Sequence, residues 1–287
     1  MMVDNIKDSS SKDFLFSVLM SIYKKEKPEY LRQALDSILH QTVMPAEIVI
    51  VEDGPLTGAL YGTLDEYEKR YPIIRRIVFS QNRGLGLALR DGVLACRYEW
   101  IARMDTDDIA KPERFEKQIT FLKKHPNVAL LGTGIEEFSI SPDHPDSQTI
   151  LPQDNETIIC YAKRRNPFRH MTMMLRKQAV LESGNYRNFL WFEDYDLWVR
   201  MLRHGFVGAN LPEILVSVRA SMEMFKRRGG WGYLQQDIKF QKFLFQNGNI
   251  NIFTLFENIL IRSSIRIIPN DGRVWVYRMF LRSHKKM

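Results

Sequence analysis

Three carboxylates, those of Asp105, Asp107 and Asp108, fall within four residues directly after the apolar run 100–104. Carboxylates crowded in this way repel one another unless a cation lies among them. Mg²⁺ and Mn²⁺ prefer oxygen ligands, and proteins commonly hold them with one or two carboxylates plus substrate phosphates. An EF-hand loop is excluded because its fifth and sixth positions carry Ile and Ala here. The segment predicts a divalent-metal site, with an acidic turn that caps the following helix as the alternative.

A second acidic group, Glu193, Asp194 and Asp196, stands among the aromatic residues of segment 191–198. Apolar neighbours raise the pKa of a carboxyl group toward the range that suits a general base. Acidic residues are also favoured at helix N-termini, so a helix start is the alternative to a catalytic base. His170 is a further candidate, although a lone histidine beside a strand is more often packed in the core than a ligand.

Asp53, Arg83 and Gly84 are candidates for nucleotide contacts. Asp53 follows an apolar run, and its carboxylate could accept a hydrogen bond from a ribose hydroxyl or a pyrimidine N–H, or only form a turn. Arg83 and Gly84 precede a predicted helix whose N-terminus could approach a diphosphate. A dinucleotide fingerprint is excluded because Leu89 replaces its third glycine, and no Gly-Lys-Ser/Thr follows for a P-loop.

The elements that would position these residues alternate between strand and helix through the first half of the chain. Near-continuous apolar strands joined by helices are typical of an α/β fold, a mostly parallel Rossmann-like sheet flanked by helices. Ligands of such sheets bind beyond the carboxyl ends of the strands, where the acidic clusters fall. The predicted strands are 16–20, 47–51, 76–80, 100–104, 128–132, 171–175 and 214–219, and the helices include those from Pro28, near 60–71, 84–96, from Pro112, 193–204 and 233–246.

Three regions follow from this organisation. A polar N-terminal tail (1–13) precedes a catalytic domain (14–248), and basic amphipathic helices (249–287) form a C-terminal extension. A Ser-, Pro- and Asp-rich loop over 139–153 divides the domain into two halves, 14–138 and 154–248.

Composition and charge restrict the class of protein. With 287 residues, 45% hydrophobic and 26% charged, the chain is an ordinary globular protein. The net charge is +7, and the segment 253–287 alone carries seven Lys or Arg against two Asp or Glu. Basic charge gathered at one end argues against nucleic-acid binding and favours an anionic membrane surface, with helices packed on the domain as the alternative. Two cysteines, no signal peptide and no apolar run of spanning length predict a cytoplasmic protein, associated peripherally with the inner face of the cell membrane.

Several segments, in order, resemble glycosyltransferase family 2, the inverting nucleotide-sugar transferases of GT-A fold. They are 17–23 with 30–42, 48–54, 82–89, 102–109 with 112–114, and 193–200. The resemblance implies a GT-A fold with a nucleotide-sugar-binding half (14–138) and an acceptor half (154–248). It also implies transfer of one hexose or N-acetylhexosamine from a UDP-linked donor to a glycan hydroxyl. The acceptor would be linked to polyprenyl diphosphate, in the synthesis of a bacterial capsule, exopolysaccharide or O-antigen.

The same resemblance implies roles for individual residues. Asp53 would bind the uracil, Asp105 the ribose or the metal, and Asp107 the Mn²⁺ or Mg²⁺ that bridges the diphosphate. Asp194 would deprotonate the acceptor hydroxyl, with Glu193 and His170 on the acceptor or diphosphate side. The remaining nucleotide-sugar contacts would come from Ser21, Tyr23, Arg83, Gly84 and Arg103.

Two alternatives to a glycosyltransferase are a sugar nucleotidyltransferase and a non-catalytic protein that binds membrane surfaces. A nucleotidyltransferase normally has a Gly-rich loop with Arg or Lys directly after its first strand. The segment 21–26 holds Ser-Ile-Tyr-Lys-Lys-Glu there, which disfavours it.

Overall fold

The structure is a computed structural model that describes residues 14–220 and 230–267. The first half contains β1 (Phe16–Ile22), α1 (Pro28–Leu39), β2 (Glu47–Glu52), α2 (Gly58–Arg70), β3 (Ile74–Val78), α3 (Leu85–Ala95), β4 (Trp100–Arg103), β5 (Ile109–Ala110), α4 (Arg114–Lys124) and β6 (Val128–Phe138). There follow β7 (Ser147–Thr149), α5 (Asn155–Ala162), β8 (Met174–Arg176), α6 (Lys177–Glu182), α7 (Glu193–Arg203), β9 (Val207–Arg219), α8 (Trp231–Gln246) and α9 (Ile252–Ile267).

All nine strands of the described ranges belong to one sheet, in the order β3-β2-β1-β4-β8-β6-β9-β5, with β7 paired to β6. The neighbours β3, β2, β1 and β4 are parallel, and β6 is parallel to β9. Strand β8 is antiparallel to both β4 and β6. It therefore lies between two groups of parallel strands, β3-β2-β1-β4 and β6-β9, that run in the same direction. The prediction of an α/β fold with a mostly parallel sheet is confirmed.

Burial explains why the central strands form. Every residue of β2 is buried, and in β1 only Ser21 is partly exposed, as expected for strands covered on both faces. Helix α1 begins at Pro28, which suits a first helical turn, and turns Leu31, Leu35 and Ile38 toward the sheet. Apolar cores therefore lie on both faces of the sheet.

From β6 onward the structure departs from the predicted pattern in several places, and helices α5 and α6 were not predicted. The segment 139–153, predicted as a loop, contains β7. The predicted strand 171–175 is a 3-10 turn at His170–Thr172 followed by the short strand β8. Strands β6 and β9 are longer than predicted because they pair in parallel over most of their length, with bulges that break the period-two pattern.

The C-terminal extension packs on the domain through a separate apolar cluster. The cluster contains Phe192 and Tyr195, near the start of α7, together with Phe240 and Leu244 of α8. Leu255 of α9 belongs to the same cluster. Helix α9 confirms the first of the predicted C-terminal helices. The second, beyond residue 267, and the tail 1–13 lie outside the described residues. No helix within the described ranges is long and apolar enough to cross a membrane.

Candidate active site

Three segments predicted to bind the donor meet at one edge of the sheet. Strands β1, β2 and β4 are adjacent and parallel, and their carboxyl ends lead into Tyr23, Asp53 and Asp105. Tyr23 is about one-third exposed, and Ser21 is partly buried within β1. The candidate nucleotide residues therefore lie at the same edge of the sheet, which is where ligands of parallel sheets bind.

The turn after β4 is held by side chains from distant parts of the chain. Asp105 forms an ion pair with the buried guanidinium of Arg103. Thr106 donates its hydroxyl hydrogen bond to Glu26 Oε2 at 2.7 Å. Asp108 is buried and accepts the backbone N–H of Arg219 at 2.9 Å, so it anchors β9 to the turn.

Crowding of these carboxylates raises the pKa of two of them. Burial, and then the charges of Asp105 and Glu26, raise the pKa of Asp107 to about 7. Burial, and then the charges of Asp107 and Asp105, raise the pKa of Asp108 well above its ordinary value. The turn thus carries more negative charge than its surroundings balance, which is the condition that favours a bound cation.

The donor set fits a cation that completes its coordination with substrate oxygens. Within the described ranges, no three His, Cys, Asp or Glu side chains are grouped to hold a metal ion by themselves. Asp105 and Asp107 are the partly exposed carboxylates of the turn, whereas Asp108 is buried and already bonded to backbone. Two carboxylates plus phosphates are a common ligand set for Mg²⁺.

The loop before α3 is tied to the end of β2. Asp53 is buried, and its two carboxylate oxygens accept the backbone N–H groups of Arg83 and Gly84 at 2.7 and 3.0 Å. Gly84 has φ of 89°, a left-handed conformation that favours glycine, and it immediately precedes α3. The Arg83 guanidinium pairs with Asp91 at 2.7 Å and lies over the Phe79 ring.

The predicted base lies in the first turn of α7. Asp194 Oδ2 accepts a hydrogen bond from Asn166 Nδ2 at 2.7 Å, and Oδ1 accepts the backbone N–H of Tyr195 at 2.6 Å. Burial, and then the neighbouring Asp194, raise the pKa of Glu193 to about 7. The acidic residues do start a helix, and two of them, Glu193 and Asp194, also crowd each other; the role of a catalytic base stays a prediction.

Aromatic packing fixes the approach to α7. Trp191 has φ of 67°, which is uncommon for a bulky residue, and its indole stacks on Tyr233 of α8 with ring centroids 4.9 Å apart. Phe192, the next residue, stacks on Phe240 at 4.8 Å. The start of α7 is therefore supported by α8.

His170 is a packed core residue. It is 9% exposed, its Nε2 lies 2.9 Å from the Tyr186 hydroxyl, and its ring packs edge-on against Trp198. Burial, and then the charge of Arg103, hold its pKa well below the usual range. This placement favours the packed interpretation, and a role toward the acceptor or the diphosphate stays a prediction.

Four residues of this region were not among the predicted site residues: Glu26, Arg114, Arg219 and Asn166. Arg114 is fully buried beneath the acidic turn and donates to the Arg103 carbonyl at 2.7 Å; burial, and then Arg103, lower its pKa to about 9. The Arg219 guanidinium lies over the Tyr30 ring, 3.9 Å from its centroid. The only sequence signal for any of them was the Pro-Glu-Arg that follows the acidic turn.

Comparison with known proteins defines the class. The family model described as "Glycosyl transferase family 2" matches residues 17–184, more than half of the chain. The protein therefore belongs to glycosyltransferase family 2 and is a glycosyltransferase of GT-A fold.

Individual relatives match nearly the whole chain. It is 40% identical over 267 residues to "Amylovoran biosynthesis glycosyltransferase AmsE" of Erwinia amylovora, covering 92% of this chain and 98% of the relative. It is 36% identical to "UDP-Gal:alpha-D-GlcNAc-diphosphoundecaprenol beta-1,3-galactosyltransferase" of Escherichia coli, covering 93% and 96%.

Two solved structures share the fold at low sequence identity. The mannosyltransferase PcManGT from Pyrobaculum calidifontis, in complex with GDP-Man and Mn²⁺, has a TM-score of 0.62 at 14% identity, covering 90% of this chain and 71% of its own. S. aureus TarS 1–349 in complex with UDP-GlcNAc has a TM-score of 0.62 at 13% identity, covering 93% and 80%.

Proposed function

We propose that this glycosyltransferase moves one sugar from a UDP-sugar to a hydroxyl of a glycan linked to polyprenyl diphosphate, with inversion and with a divalent metal. The reaction would serve the synthesis of a bacterial surface polysaccharide. One observation carries the proposal: Gly86, in the first turn of α3 beside the donor loop, lies so close to the start of α7 that a Cβ on it would be 3.2 Å from Glu193 Cβ. The candidate donor loop and the helix turn that carries the candidate base are therefore direct neighbours.

The chain's residues divide the reaction between two faces of the donor sugar. Asp107 and Asp105 would hold the cation, which supplies positive charge where the leaving diphosphate becomes more negative. Asp53 fixes the loop that carries Arg83 and Gly84. The remaining lone pairs of its carboxylate would accept a hydrogen bond from the N–H of the uracil ring. Ser21, Tyr23 and Arg103 complete the donor side.

Asp194 supplies the acceptor side of the reaction. A sugar hydroxyl is a weak nucleophile, so a carboxylate that removes its proton during attack lowers the barrier. Attack from the face opposite the leaving diphosphate, without a covalent intermediate, inverts the anomeric carbon.

The relatives support the choice of substrates. The name of the E. coli relative includes a UDP-Gal donor and a diphosphoundecaprenol-linked acceptor, and that of the Erwinia relative includes amylovoran biosynthesis. The fold neighbours were solved with nucleotide sugars, one of them together with Mn²⁺. These names favour a nucleotide-sugar donor, a divalent metal and a lipid-linked acceptor for this chain.

Product analysis tests the proposed reaction. The protein is incubated with single UDP-sugars and a GlcNAc-diphosphopolyprenol acceptor, with Mn²⁺ or with EDTA. We expect one equivalent of free UDP for each glycosylated lipid, and no transfer in EDTA. The transferred sugar should have the anomeric configuration opposite to that in the UDP-sugar donor. In a parallel incubation with UTP and a sugar 1-phosphate, release of pyrophosphate would instead identify a sugar nucleotidyltransferase. Absence of any product in both incubations would favour a binding protein.

We also propose that the protein is cytoplasmic and associates peripherally with the inner face of the cell membrane. The exposed face of α9 supports the membrane association. Phe253, Phe256 and Leu260, spaced to lie on one side of the helix, are 81%, 66% and 71% exposed. Aromatic and aliphatic side chains on one face, within a segment rich in Lys and Arg, are typical of helices that lie in a membrane interface. Each basic residue near an anionic surface contributes about 1 kcal/mol to such binding.

Substitution of that face tests membrane binding more cleanly than removal of α9. The helix also buries Leu255 and Asn258, so deletion would damage the domain. We expect the triple variant Phe253→Gln, Phe256→Gln, Leu260→Gln to lose co-sedimentation with phosphatidylglycerol-rich vesicles. The control carries Gln at three exposed apolar positions elsewhere, Val78, Leu94 and Ile140, and should sediment like the wild type. Equal sedimentation of both variants would contradict a role for this face.

A further inference from the structure

The segment that follows α5 ends at a residue in contact with the predicted base. Asn166 donates from Nδ2 to Asp194 Oδ2 at 2.7 Å, while its own Oδ1 accepts the backbone N–H of Phe168 at 3.3 Å. Because that carbonyl oxygen is engaged by a donor, the orientation of the amide is defined, and its NH₂ group is the one that faces the carboxylate.

Helix α9 holds the same segment from the other side. Asn258 Nδ2 donates to the carbonyl of Lys163 at 2.9 Å, and Arg262 Nη2 donates to the carbonyl of Arg164 at 2.6 Å. An exposed ion pair between Arg164 and Glu257, at 2.8 Å, lies beside them. Two side chains of α9 thus satisfy carbonyls just beyond the C-terminus of α5, where helical partners are lacking.

Buried polar bonds to α8 fix those two α9 side chains in turn. Asn258 also donates to Gln241 at 2.8 Å, and Arg262 forms an ion pair with Asp237, which is 1% exposed, at 2.9 Å. Removing one partner of a buried polar pair leaves the other unsatisfied, so such pairs admit few alternative arrangements. The seam between α8 and α9 therefore has one defined register.

We propose that Asn166 is a positioning residue for Asp194, and that α9 supports it through Asn258 and Arg262. The proposal rests on the proposed role of Asp194 as the base. The Asn166 amide selects one orientation of the carboxylate, and its N–H donation favours the charged form that accepts a proton. A donor at this point therefore acts on catalysis without touching the substrate.

In the described part of the chain, the charge of Asp194 acts on the pKa of titratable groups around it, among them Glu193, Tyr195 and Tyr186. Glu193 precedes Asp194 on α7, Tyr195 follows it, and Tyr186 lies in the segment before the helix. The two tyrosine hydroxyls have pKa values raised, chiefly by burial, beyond the range of an assay. Glu193 remains in every variant below, so its titration is common to all of them.

The first test replaces the amide with an apolar side chain that has the same branching at Cγ. In Asn166→Leu we expect kcat to fall about tenfold to a hundredfold, the scale for residues that orient a reactive group, with the KM for the UDP-sugar unchanged. The acid limb of the kcat–pH profile should move to higher pH, because the charged form of Asp194 has lost a donor. A folded variant with wild-type kcat and an acid limb at the wild-type pH would overturn the proposal. A variant in which KM rises while kcat is unchanged would also overturn it.

The second test acts from α9. Asn258→Ala, and Arg262→Met as the variant that keeps most of the side-chain packing, should each lower kcat by less than Asn166→Leu and shift the acid limb in the same direction. Ser264→Ala on the same helix is the control, because Ser264 is exposed and its hydroxyl donates to Leu260 O within the helix itself. Wild-type profiles in both folded α9 variants would refute the support by α9.

Asp194→Asn separates failure of this inference from failure of the proposed function. If that variant transfers sugar normally, Asp194 is not the base and the positioning role falls with that assignment, whereas the proposed sugar transfer stands. If it is inactive while Asn166→Leu is unaffected, only the positioning role is refuted.

Discussion

The carboxylate of Asp53 accepts the backbone N–H of Gly84 at 3.0 Å, so the segment at the end of β2 is bonded directly to the residue that immediately precedes α3. A second bond, to the backbone N–H of Arg83, occupies the other oxygen. Asp53 thus builds the loop as well as being the predicted contact of the uracil. Any effect of its substitution on nucleotide binding includes the loss of this loop.

Asp53→Asn should weaken both the fold and the donor site. An amide offers one acceptor oxygen where two N–H groups need one each, and an unsatisfied buried N–H costs about 1–3 kcal/mol. Urea denaturation should show that loss, and calorimetry should show weaker UDP binding. The exposed Asp146→Asn serves as a control, and wild-type behaviour of Asp53→Asn in both measurements would rule out the anchoring role.

Gly86→Ala should destabilise the protein and lower transfer. A Cβ at Gly86 would lie 2.3 Å from the carbonyl oxygen of Arg187 and 3.2 Å from Glu193 Cβ. The segment 187–193, which leads into α7, must therefore shift to accommodate it. Overpacking of this kind costs about 1–3 kcal/mol. Gly62→Ala, within α2 and with nothing within 4 Å of its Cβ, should instead stabilise by about 0.5–1 kcal/mol. Thermal and urea unfolding of the pair compare the two, and a neutral Gly86→Ala would contradict the close approach.

Asp107→Asn should abolish the Mn²⁺-dependent part of UDP binding. The amide keeps the shape of the side chain but not the charge that a cation needs. Titration calorimetry with UDP, with and without Mn²⁺, measures the effect, and EDTA should bring the wild type to the level of the variant. Retained Mn²⁺ dependence would exclude Asp107 from the metal site and restore the interpretation of a capping turn.

Asp194→Asn should keep donor binding and lose transfer. The amide cannot accept the proton of the acceptor hydroxyl, and the loss of a general base costs about 10²–10⁴ in kcat. Calorimetry with UDP-sugar checks binding, and UDP release with the lipid-linked acceptor checks transfer. Near wild-type turnover would move the role of base to Glu193, Asp196 or His170.

Glu193 should make stability depend on pH in a defined direction. Its pKa is raised from 4.5 to about 7 in the folded protein, so the folded state prefers the neutral acid. Its contribution is complete below pH 4.5 and disappears as the pH rises through 7. Glu193→Gln should therefore leave stability unchanged near pH 4.5 and raise it by up to about 3 kcal/mol at pH 8. Urea denaturation at both values is the measurement, and equal differences between variant and wild type at the two would disprove it.

The parts of the fold that the sequence predicts are those set by local pattern. Continuous apolar runs gave β1, β2 and β4, and the acidic turn after β4 was placed at the correct edge because parallel strands share an orientation. Helix α7 was predicted to begin at Glu193, as it does. Here the apolar period and the acidic start agree, so one window of residues determines the element.

The parts that sequence reasoning missed depend on contacts between distant residues. Arg219 reaches the acidic turn because β9 pairs with β6 and β5, and Asn166 reaches Asp194 because α9 holds the preceding segment. Strand β7 is too short to show a period, and β8 follows a turn that interrupts its pattern. No local signal marks any of these residues, since their partners are set only when the sheet closes.

The position of β8 and β9 in the sheet also determines when the molecule can fold. Strand β6 is flanked by β8 and β9, both of which are synthesised after it, so the sheet remains incomplete until the chain has passed Arg219. A nascent chain that ends before β9 therefore carries β6 with an unpaired edge, and such edges associate with other strands. Pairing between strands far apart in sequence also forms slowly. We expect folding to be late, cooperative and sensitive to any delay in synthesis between β6 and β9.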